Sequence, residues 1–215
     1  DKTGTITEPF MKVSDVICLN EERYSRSFVT GLLSAYYAGM EADNETAMAI
    51  RRHYENPPGW EIEKTIPFQS AVKWSAVVFK DKGTYVTGAP EVLLGDSHPQ
   101  AAERVRKHLE RGERVILAGA CRETPREGEP LTVPVEPVAM VVIANNIREN
   151  APETFRFFAE QGVAVKVISG DSPATAARIA GQAGIRNAED FVDARTLETE
   201  EQLYQAAERY TVFGR

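Results

Sequence analysis

The second half of the chain alternates apolar runs with helical patterns. Residues 138–144 are a continuous apolar run, as expected for a strand buried on both faces of a parallel sheet, and residues 163–168 are predicted to form a second buried strand. Helical patterns follow them over residues 151–161 and about 173–182, each with a glycine close after its end. The rest of this half predicts short strands at 191–192 and 211–213 and a helix over 198–209. This βαβα order predicts an α/β domain built on a parallel sheet.

The first half mixes helices and strands in another order. An amphipathic helix is predicted over residues 25–38, where apolar side chains recur at helical spacing and are expected in the core: Phe28, Leu32, Leu33 and Tyr36. A second helix is predicted over residues 44–55. Runs rich in β-branched and aromatic residues then predict strands, with one more helix between them: 60–66, 72–79, 84–87 and 114–121 for the strands and 99–111 for the helix. This mixture indicates an α+β domain.

A proline-rich segment follows at residues 122–137. It contains four prolines, one glycine and many charged residues but little apolar content, which indicates a surface connection back to the α/β pattern. We therefore expect a discontinuous α/β domain, residues 1–12 plus 131–215, with an inserted α+β domain over residues 13–130.

The composition excludes some function classes. The chain has 215 residues, of which 42% are hydrophobic and 27% charged, so it can bury a core in one large or two small domains. Its net charge of −7 argues against a nucleic-acid partner, which needs a basic surface. Cys18 and Cys121 fit no metal-binding spacing and are expected to be reduced thiols. No apolar run approaches the length of about 18 residues that a membrane span needs.

The strongest candidate site is the first stretch of the chain, Asp1-Lys2-Thr3-Gly4-Thr5. The carboxylate of Asp1 is suited to attack the terminal phosphate of ATP and form an aspartyl-phosphate. Lys2 and a Mg²⁺ ion would screen the repulsion between the two anions. Gly4 allows the backbone to approach phosphate oxygens, and the hydroxyls of Thr3 and Thr5 can donate to them.

This pentapeptide resembles the phosphorylation motif of P-type ATPases, the ion pumps that pass a phosphoryl group through an aspartate. In the related dehalogenase-like fold, a second Asp two residues after the nucleophile usually acts as the general acid–base that speeds hydrolysis of the intermediate. Here that position is Thr3. The resemblance therefore implies a phosphoenzyme that persists, which suits a pump better than a phosphatase.

A second motif, Ser169-Gly170-Asp171, stands between a predicted buried strand and a helix. Ligands of open α/β sheets bind beyond the carboxyl ends of the strands, so this turn is expected beside Asp1. The motif resembles the Thr-Gly-Asp of P-type ATPases, with Ser169 offering the same single hydroxyl to the phosphoryl group. Gly170 permits close backbone approach, and the resemblance implies that Asp171 organises the site near the nucleotide and Lys2.

A third motif, Asn145-Asn146-Ile147-Arg148, ends the preceding strand. It resembles the family's Asp-Pro-x-Arg, in which the Arg reaches ATP and the Asp helps to hold the closed arrangement of the domains. Arg148 is therefore implied as a nucleotide ligand. Asn145 stands where the family has the carboxylate, so a charge-assisted acceptor is missing there.

The inserted domain resembles a nucleotide-binding domain of the same family. Phe68 and Lys73 match an aromatic residue that stacks on adenine and a lysine near the phosphates or the pocket floor. Gly88 and Ala89 belong to a Gly-Ala-Pro-Glu sequence that leaves room for the adenine. Thr87 stands where the family has a lysine, so only a hydroxyl is available there.

Two further residues are implied as nucleotide ligands. Arg114 resembles the family arginine that reaches the ATP phosphates from the inserted domain. Glu45 resembles an acidic residue that accepts from the adenine amino group, although its position beside Asn44 equally suits a helix N-terminus.

The resemblance implies a Rossmann-like, dehalogenase-type phosphorylation domain, incomplete here, with an inserted α+β nucleotide-binding domain. Its implied cofactor is Mg²⁺, with Asp1 and Thr3 among the metal ligands, and its substrate is ATP. The family's later Gly-Asp-Gly turn, which completes the Mg²⁺ site, does not occur in the sequence. A chain that begins on its nucleophile is expected to be a fragment, with weak activity or none by itself.

The implied function is the ATP-binding and autophosphorylating headpiece of a cation pump on the cytosolic side of a membrane. Its implied partners are the rest of the same pump, namely an actuator domain and transmembrane helices, and the sequence leans toward a small cation such as calcium, magnesium or manganese. Two alternatives remain: a free-standing dehalogenase-like phosphatase with a cap domain, and a nucleotide-binding module that is inactive in isolation.

Overall fold

The computed structural model describes residue 2, residues 4–95 and residues 97–215. Its contacts divide the chain into two compact units: Asp1–Phe10 with Asn145–Arg215, and Met11–Ala144. We call the first the split unit and the second the inserted unit. The second boundary falls later than the return at about residue 131 that the sequence led us to expect.

The inserted unit is built on a six-stranded sheet with four helices. The sheet has the order β1-β6-β5-β4-β3-β2, and β1 and β6 each continue from this unit into the split unit. The strands are β1 (Thr7–Cys18), β2 (Ile62–Gln69), β3 (Trp74–Phe79), β4 (Gly83–Gly88), β5 (Arg114–Cys121) and β6 (Val135–Ile147). The helices are α1 (Arg26–Gly39), α2 (Glu45–His53), α3 (Pro90–Leu94) and α4 (Pro99–Glu110).

Neighbouring strands from β2 to β6 pair antiparallel. The predicted hairpin between β3 and β4 is confirmed: Asp81 and Gly83 adopt positive φ angles of 62° and 89°. A glycine suits such a turn because it carries no Cβ to clash with the backbone.

The sheet is buried on both faces by the helices. One core cluster contains Leu32 and Leu33 of α1 and Ile50 of α2. The other contains Leu93 of α3 and Val105 of α4. Helices on each side therefore exclude water from both faces of the central strands.

The apolar run at residues 138–144 was expected to be a strand of a parallel sheet, and this expectation was wrong. The run belongs to β6, which pairs antiparallel with β5 through Ala139 opposite Ala118 and Val141 opposite Ile116. Alternate residues of β6 enter the two core clusters, with Val141 in one and Val142 in the other. The run is continuously apolar because both faces are covered, whatever the direction of the neighbouring strand.

The proline-rich segment is fastened to the inserted unit. The indole nitrogen Nε1 of Trp74, a buried residue of β3, donates a hydrogen bond of 3.0 Å to the carbonyl oxygen of Glu129. Leu131 and Val133 pack against the core cluster that contains Trp74. The segment is thus part of this unit, whereas the sequence suggested a connection between domains.

The split unit contains a parallel sheet with the order β7-β9-β8, and the parallel direction was predicted. The buried strand expected over residues 163–168 was wrong in its extent and burial, because only Val167 and Ile168 form β7 and Ile168 is 68% exposed at the end of the strand. Small side chains of its helices pack against the sheet, with Ala176 and Ala180 beside Val167 and Val212. Its elements are α5 (Ala151–Glu160), β7 (Val167–Ile168), α6 (Pro173–Gln182), β8 (Phe191–Asp193), a short 3₁₀ helix (Ala194–Thr196), α7 (Glu200–Arg209) and β9 (Val212–Gly214).

Within the part of the chain that the structure describes, no helix combines the length and the apolar character needed to cross a bilayer.

Replacing Trp74 by Phe should loosen the proline-rich segment. The substitution keeps an aromatic ring in the core but removes the indole donor to the carbonyl of the exposed Glu129, which costs about 0.5–1.5 kcal/mol of unfolding free energy. We expect faster cleavage by trypsin after Arg126 under native conditions and a lower midpoint in urea unfolding. Trp60→Phe is the matched control, since the Trp60 ring packs on Phe79. Cleavage of the Trp74 variant at the wild-type rate would contradict the proposed anchoring.

Candidate functional site

The inserted unit contains a cavity of about 260 Å³. It is enclosed by α1 and the loop after it, the first turn of α2, and residues of β2 to β5. The described lining residues are Tyr36, Tyr37, Met40, Glu41, Asp43, Asn44, Glu45, Thr46, Ala47, Phe68, Ser75, Thr87, Gly88, Arg114 and Ile116. Three residues that the sequence singled out for base binding, Glu45, Phe68 and Gly88, therefore meet in one cavity.

Four buried hydroxyls form the floor of this cavity, and we call them the hydroxyl floor: Tyr36, Tyr37, Ser75 and Thr87. The Tyr36 and Ser75 hydroxyl oxygens are 2.9 Å apart, and those of Ser75 and Thr87 are 3.2 Å apart. The Tyr37 hydroxyl donates to Thr87 Oγ1 over 3.3 Å. The floor is therefore polar, satisfied by internal hydrogen bonds and uncharged.

Burial keeps the two tyrosines neutral. It raises the pKa of Tyr37 to about 12, against the weaker lowering effect of the hydrogen bond with Thr87. Burial likewise raises the pKa of Tyr36 well above its ordinary value, opposed by hydrogen bonds with Ser75 and Thr87. A ligand in the cavity therefore meets hydroxyls that can both donate and accept.

The rim of the cavity is mainly acidic. Glu41, Asp43 and Glu45 contribute three carboxylates to the described lining, against the single guanidinium of Arg114. Arg114 donates from Nη1 to Thr46 Oγ1 over 2.8 Å, which links β5 to the first turn of α2. This balance disfavours a polyphosphate inside the cavity and favours an uncharged ring with donor groups.

Phe68 supplies an accessible aromatic ring at the cavity. Its side chain is 42% exposed, although it belongs to β2 and lines the cavity. A flat ring with one open face can stack on a planar ligand.

Gly88 is required by the packing of the backbone. A Cβ at this position would lie 2.5 Å from the Lys73 carbonyl oxygen and 3.0 Å from Trp74 Cα. The next residue, Ala89, donates its backbone N–H to the same Lys73 oxygen over 3.0 Å. The Gly-Ala pair therefore holds the turn between β2 and β3, and Gly88 also lines the cavity.

Lys73 extends from this turn to a carboxylate. It adopts a positive φ of 60°, and its Nζ lies 2.9 Å from Glu91 Oε1. The hydrogen bond from Lys73 holds the pKa of Glu91 below its ordinary value. Among the described residues that line the cavity, neither Lys73 nor Ala89 is present.

The split unit brings the first and second motifs together. The ammonium group of Lys2 forms an ion pair with the carboxylate of Asp171, 169 positions later in the chain. The Lys2 side chain is 7% exposed and that of Asp171 is 40% exposed. Asp1 and Thr3, for which roles as nucleophile and metal ligands were predicted, lie outside the described residues.

The Ser169-Gly170-Asp171 turn is held by hydrogen bonds to β9 and to the residue that follows it. The Ser169 amide donates to the Phe213 carbonyl oxygen over 2.9 Å, and Arg215 Nε donates to the Gly170 carbonyl oxygen over 3.1 Å. Ser169 Oγ accepts from the Asp171 amide over 3.2 Å, so its own hydrogen can point to another acceptor.

Arg148 contacts Gly4 of the first motif and two residues that follow the motif. Its backbone amide donates to the Ile6 carbonyl oxygen over 3.0 Å. Its guanidinium donates from Nε to the Thr7 carbonyl oxygen over 3.3 Å and from Nη2 to the Gly4 carbonyl oxygen over 2.6 Å. The sequence predicted this residue as a nucleotide ligand.

The sequence interpretation missed the hydroxyl floor. It assigned Tyr36 to the core, passed over Tyr37 and Ser75, and treated Thr87 only as the replacement of a lysine. One signal was available: adjacent tyrosines on a helix with a buried face require hydrogen-bond partners for their hydroxyls. The identity of those partners depends on which strands the helix covers.

Comparisons with known proteins agree with the fold. The family model of haloacid dehalogenase-like hydrolases matches residues 1–210. The "Calcium-transporting ATPase CtpE" of Mycolicibacterium smegmatis is 39% identical over 216 residues, covering 100% of this chain and 26% of that protein. The "Probable cation-transporting ATPase exp7" of Streptococcus pneumoniae is 37% identical, covering 100% and 27%. The chain thus spans about a quarter of the length of these relatives.

A solved structure extends the likeness to the fold. The crystal structure of a zinc-transporting PIB-type ATPase superposes with a TM-score of 0.65 at 20% identity, covering 86% of this chain and 27% of that one. A second crystal structure of a zinc-transporting PIB-type ATPase, in a different state, gives a TM-score of 0.64.

Tyr37 should make stability depend on pH above 10. Its pKa is raised from 10 to about 12 in the folded chain, so the unfolded chain ionises first. The contribution of the neutral Tyr37 hydroxyl to the free energy of unfolding is complete below pH 10. It is lost as pH rises toward 12, at up to about 1.4 kcal/mol per pH unit.

We expect Tyr37→Phe to flatten the decline of unfolding free energy between pH 10 and 12, measured by urea unfolding at several pH values. Tyr204→Phe is the control, because Tyr204 is 75% exposed. An unchanged slope in the Tyr37 variant would mean that this hydroxyl ionises as freely as in water.

Proposed function

We propose that the chain binds ATP and receives the terminal phosphoryl group on Asp1, because it belongs to the haloacid dehalogenase-like hydrolase family. Within that family it belongs to the P-type cation-transporting ATPases. The observation that carries this proposal is the ion pair of Lys2 with Asp171. It joins the residue next to the proposed nucleophile to the turn that resembles the family's second catalytic motif. A nucleophilic carboxylate needs a nearby cation to accept a phosphate, and Lys2 is that cation.

The adenine base is proposed to enter the cavity of the inserted unit. A volume of about 260 Å³ lies just below the range of about 300–1,000 Å³ that is usual for small-molecule sites, which suits a base better than a whole nucleotide. Phe68 would stack on the ring, and the adenine amino group would donate to Glu45 or to the hydroxyl floor. The acidic rim supports this orientation because it repels the phosphates and leaves them outside.

The phosphates are proposed to meet Arg114 and Lys73. Arg114 lies at the rim of the cavity, where its bond to Thr46 can be exchanged for a phosphate oxygen. Lys73 and Glu91 form a pair whose side chains are 55% and 61% exposed. Such pairs contribute about 0–1 kcal/mol, so little free energy opposes the transfer of Lys73 to a phosphate. Gly88 would border the base through its backbone, and Ala89 would contribute indirectly by holding the turn that carries Lys73.

The proposed reaction is a transfer of the γ-phosphoryl group to a carboxylate. An oxygen of Asp1 forms a bond to the γ-phosphorus while the bond from that phosphorus to the β–γ bridging oxygen breaks, and ADP leaves with the electron pair. Lys2 and the Ser169 hydroxyl would stabilise the charge on the phosphoryl oxygens, and Gly170 would allow close approach. Asp171 orients Lys2 through the ion pair.

A Mg²⁺ ion fits the chemistry of the predicted donors. The Asp1 carboxylate and the oxygens of Thr3 are hard ligands of the kind that Mg²⁺ prefers. When bound, the ion would neutralise part of the charge that nucleophile and phosphate bring together.

The intact protein is proposed to be a cation pump. Thr3 replaces the carboxylate that would act as the general acid–base in hydrolysis of the aspartyl-phosphate. This replacement supports storage of the phosphoryl group until transport uses it. The remainder of such a pump, an actuator domain and transmembrane helices, would work with this chain on the cytosolic side of a membrane. The name of the 39% identical relative favours calcium among the small cations considered.

Phe68→Ala should weaken ATP binding to the 215-residue chain. Stacking of a base on an aromatic ring contributes about 1–3 kcal/mol, so we expect the Kd for ATP to rise at least about fivefold in a calorimetric titration. Phe157→Ala in the split unit is the matched control, because Phe157 is 56% exposed and lies on α5. Equal affinities of wild type and Phe68→Ala would reject the stacking role, and a wild-type chain that binds no ATP would reject the proposal.

Asp1→Asn should abolish phosphoenzyme formation in a pump that contains this sequence. Asn lacks the charged oxygen that attacks the phosphorus, while the cavity that would bind the base is unaltered. The measurement is acid-stable labelling by ATP with a radioactive γ-phosphate, alongside ATP affinity. Retained labelling in the variant would assign the phosphoryl group to another residue.

A further inference from the structure

We infer that Arg148 is a positioning residue that fixes the phosphorylation loop, residues 4–7, through the carbonyl oxygens of that loop, and is not a ligand of the nucleotide. The inference deepens the proposed function, because the loop matters only if the preceding Asp1 accepts the phosphoryl group. It departs from the role that the resemblance assigns to this arginine.

Arg148 binds the loop with both its backbone and its side chain. The Gly4 and Thr7 carbonyl oxygens accept from the guanidinium over 2.6 and 3.3 Å, and the Ile6 carbonyl oxygen accepts from the Arg148 amide over 3.0 Å. Hydrogen bonds from a charged donor are about twice as strong as those between neutral groups. One residue thus holds three of the four carbonyls of the loop.

The amide groups of the same loop converge on one acceptor. The N–H groups of Thr5, Ile6 and Thr7 lie 3.4, 3.0 and 3.1 Å from the Lys2 carbonyl oxygen. Gly4 makes this tight turn possible with a φ of 79°. Arg148 therefore engages the carbonyls while the amides close the turn onto the backbone of Lys2, whose side chain binds Asp171.

The guanidinium also shapes the charge around the loop. Carbonyl oxygens carry partial negative charge and would repel an approaching phosphoryl group. Arg148 neutralises two of them and holds the peptide groups in place before the reaction, which avoids reorganisation during it. A planar guanidinium can reach two acceptors from fixed directions, whereas the single ammonium of a lysine cannot hold the same geometry.

The contacts oppose a role in binding ATP. Two of the five guanidinium N–H groups, one on Nε and one on Nη2, donate to the loop, so the side chain is already held toward the Thr7 and Gly4 carbonyls and a move toward a phosphate would break these bonds. The motif also lacks the carboxylate that the resemblance would place beside Arg148, since Asn145 is neutral. Without that carboxylate, the guanidinium donates to the carbonyl oxygens of the loop instead.

Amide hydrogen exchange in the 215-residue chain tests the positioning directly. We expect Arg148→Gln to speed exchange of the Ile6 and Thr7 amides by at least about tenfold, because the turn opens more often once its carbonyls are released. Exchange at Phe213 in β9 should stay within about twofold of wild type. Arg156→Gln, which removes an equal charge from an exposed position on α5, is the control and should change neither region.

Arg148→Lys separates geometry from charge. It keeps the cation and the backbone contact to Ile6, so an intermediate increase in exchange supports the inference. If Arg148→Gln fails to fold, Arg148→Lys alone still tests the inference. Wild-type exchange of the loop in both variants would overturn it.

Phosphorylation and ATP affinity give the second readout, in a pump that contains this sequence. We expect the rate of phosphoenzyme formation at saturating ATP to fall by at least about tenfold in Arg148→Lys, with the Kd for ATP within about twofold of wild type. A Kd that rises about fivefold or more overturns the inference, whatever the rate does, and so does an unchanged rate. A wild-type pump that forms no phosphoenzyme on Asp1 would instead reject the proposed function, whereas the exchange measurement on the loop would still stand.

Discussion

The ion pair between Lys2 and Asp171 is the interaction on which the candidate phosphorylation site depends. The Lys2 side chain is almost fully buried, and a buried ammonium is strongly unfavourable unless an opposite charge meets it. The two residues are separated by 169 positions, so this pairing can form only when the start of the chain meets the turn after β7. The candidate site is therefore a product of the folded split unit.

The cavity of the inserted unit and the candidate phosphorylation site of the split unit use electrostatics in opposite ways. The cavity avoids a buried positive charge: Thr87 stands in place of a lysine, and its hydroxyl is satisfied by Tyr37 and Ser75. An uncharged ring can then enter with little loss of solvation. The candidate phosphorylation site instead places the cationic side chains of Lys2 and Arg148 next to the phosphorylation loop. The uncharged floor of the cavity suits the neutral base that the cavity is proposed to bind, and the two cations suit the anionic phosphoryl group that is proposed to bind beside them.

Local pattern predicted the elements well because their causes are local. The hairpin at Gly83 and the helix that begins at Glu45 depend on turn and capping residues that act within a few positions. The apolar run in β6 was assigned to a parallel sheet, since continuous apolarity reports that both faces are covered and not the direction of the neighbour. The segment around Glu129 was taken as a connection between domains, because its proline content indicates irregular structure without saying what holds it. Trp74, which anchors it, lies far away in the sequence.

The sequence by itself determined which reactive groups this protein carries and in which motifs they stand. A carboxylate next to Lys2 and Gly4, a Ser-Gly-Asp turn after an apolar strand, and an aromatic residue such as Phe68 are each readable in one dimension, and they indicate phosphoryl transfer and base binding before any coordinates. Only the tertiary structure decided the partners of those groups. The hydroxyl floor joins one helix to two strands, and the contacts of Arg148 with Gly4 and Thr7 span more than half of the chain. Such contacts depend on which elements pack together, and residue identity alone does not contain that information.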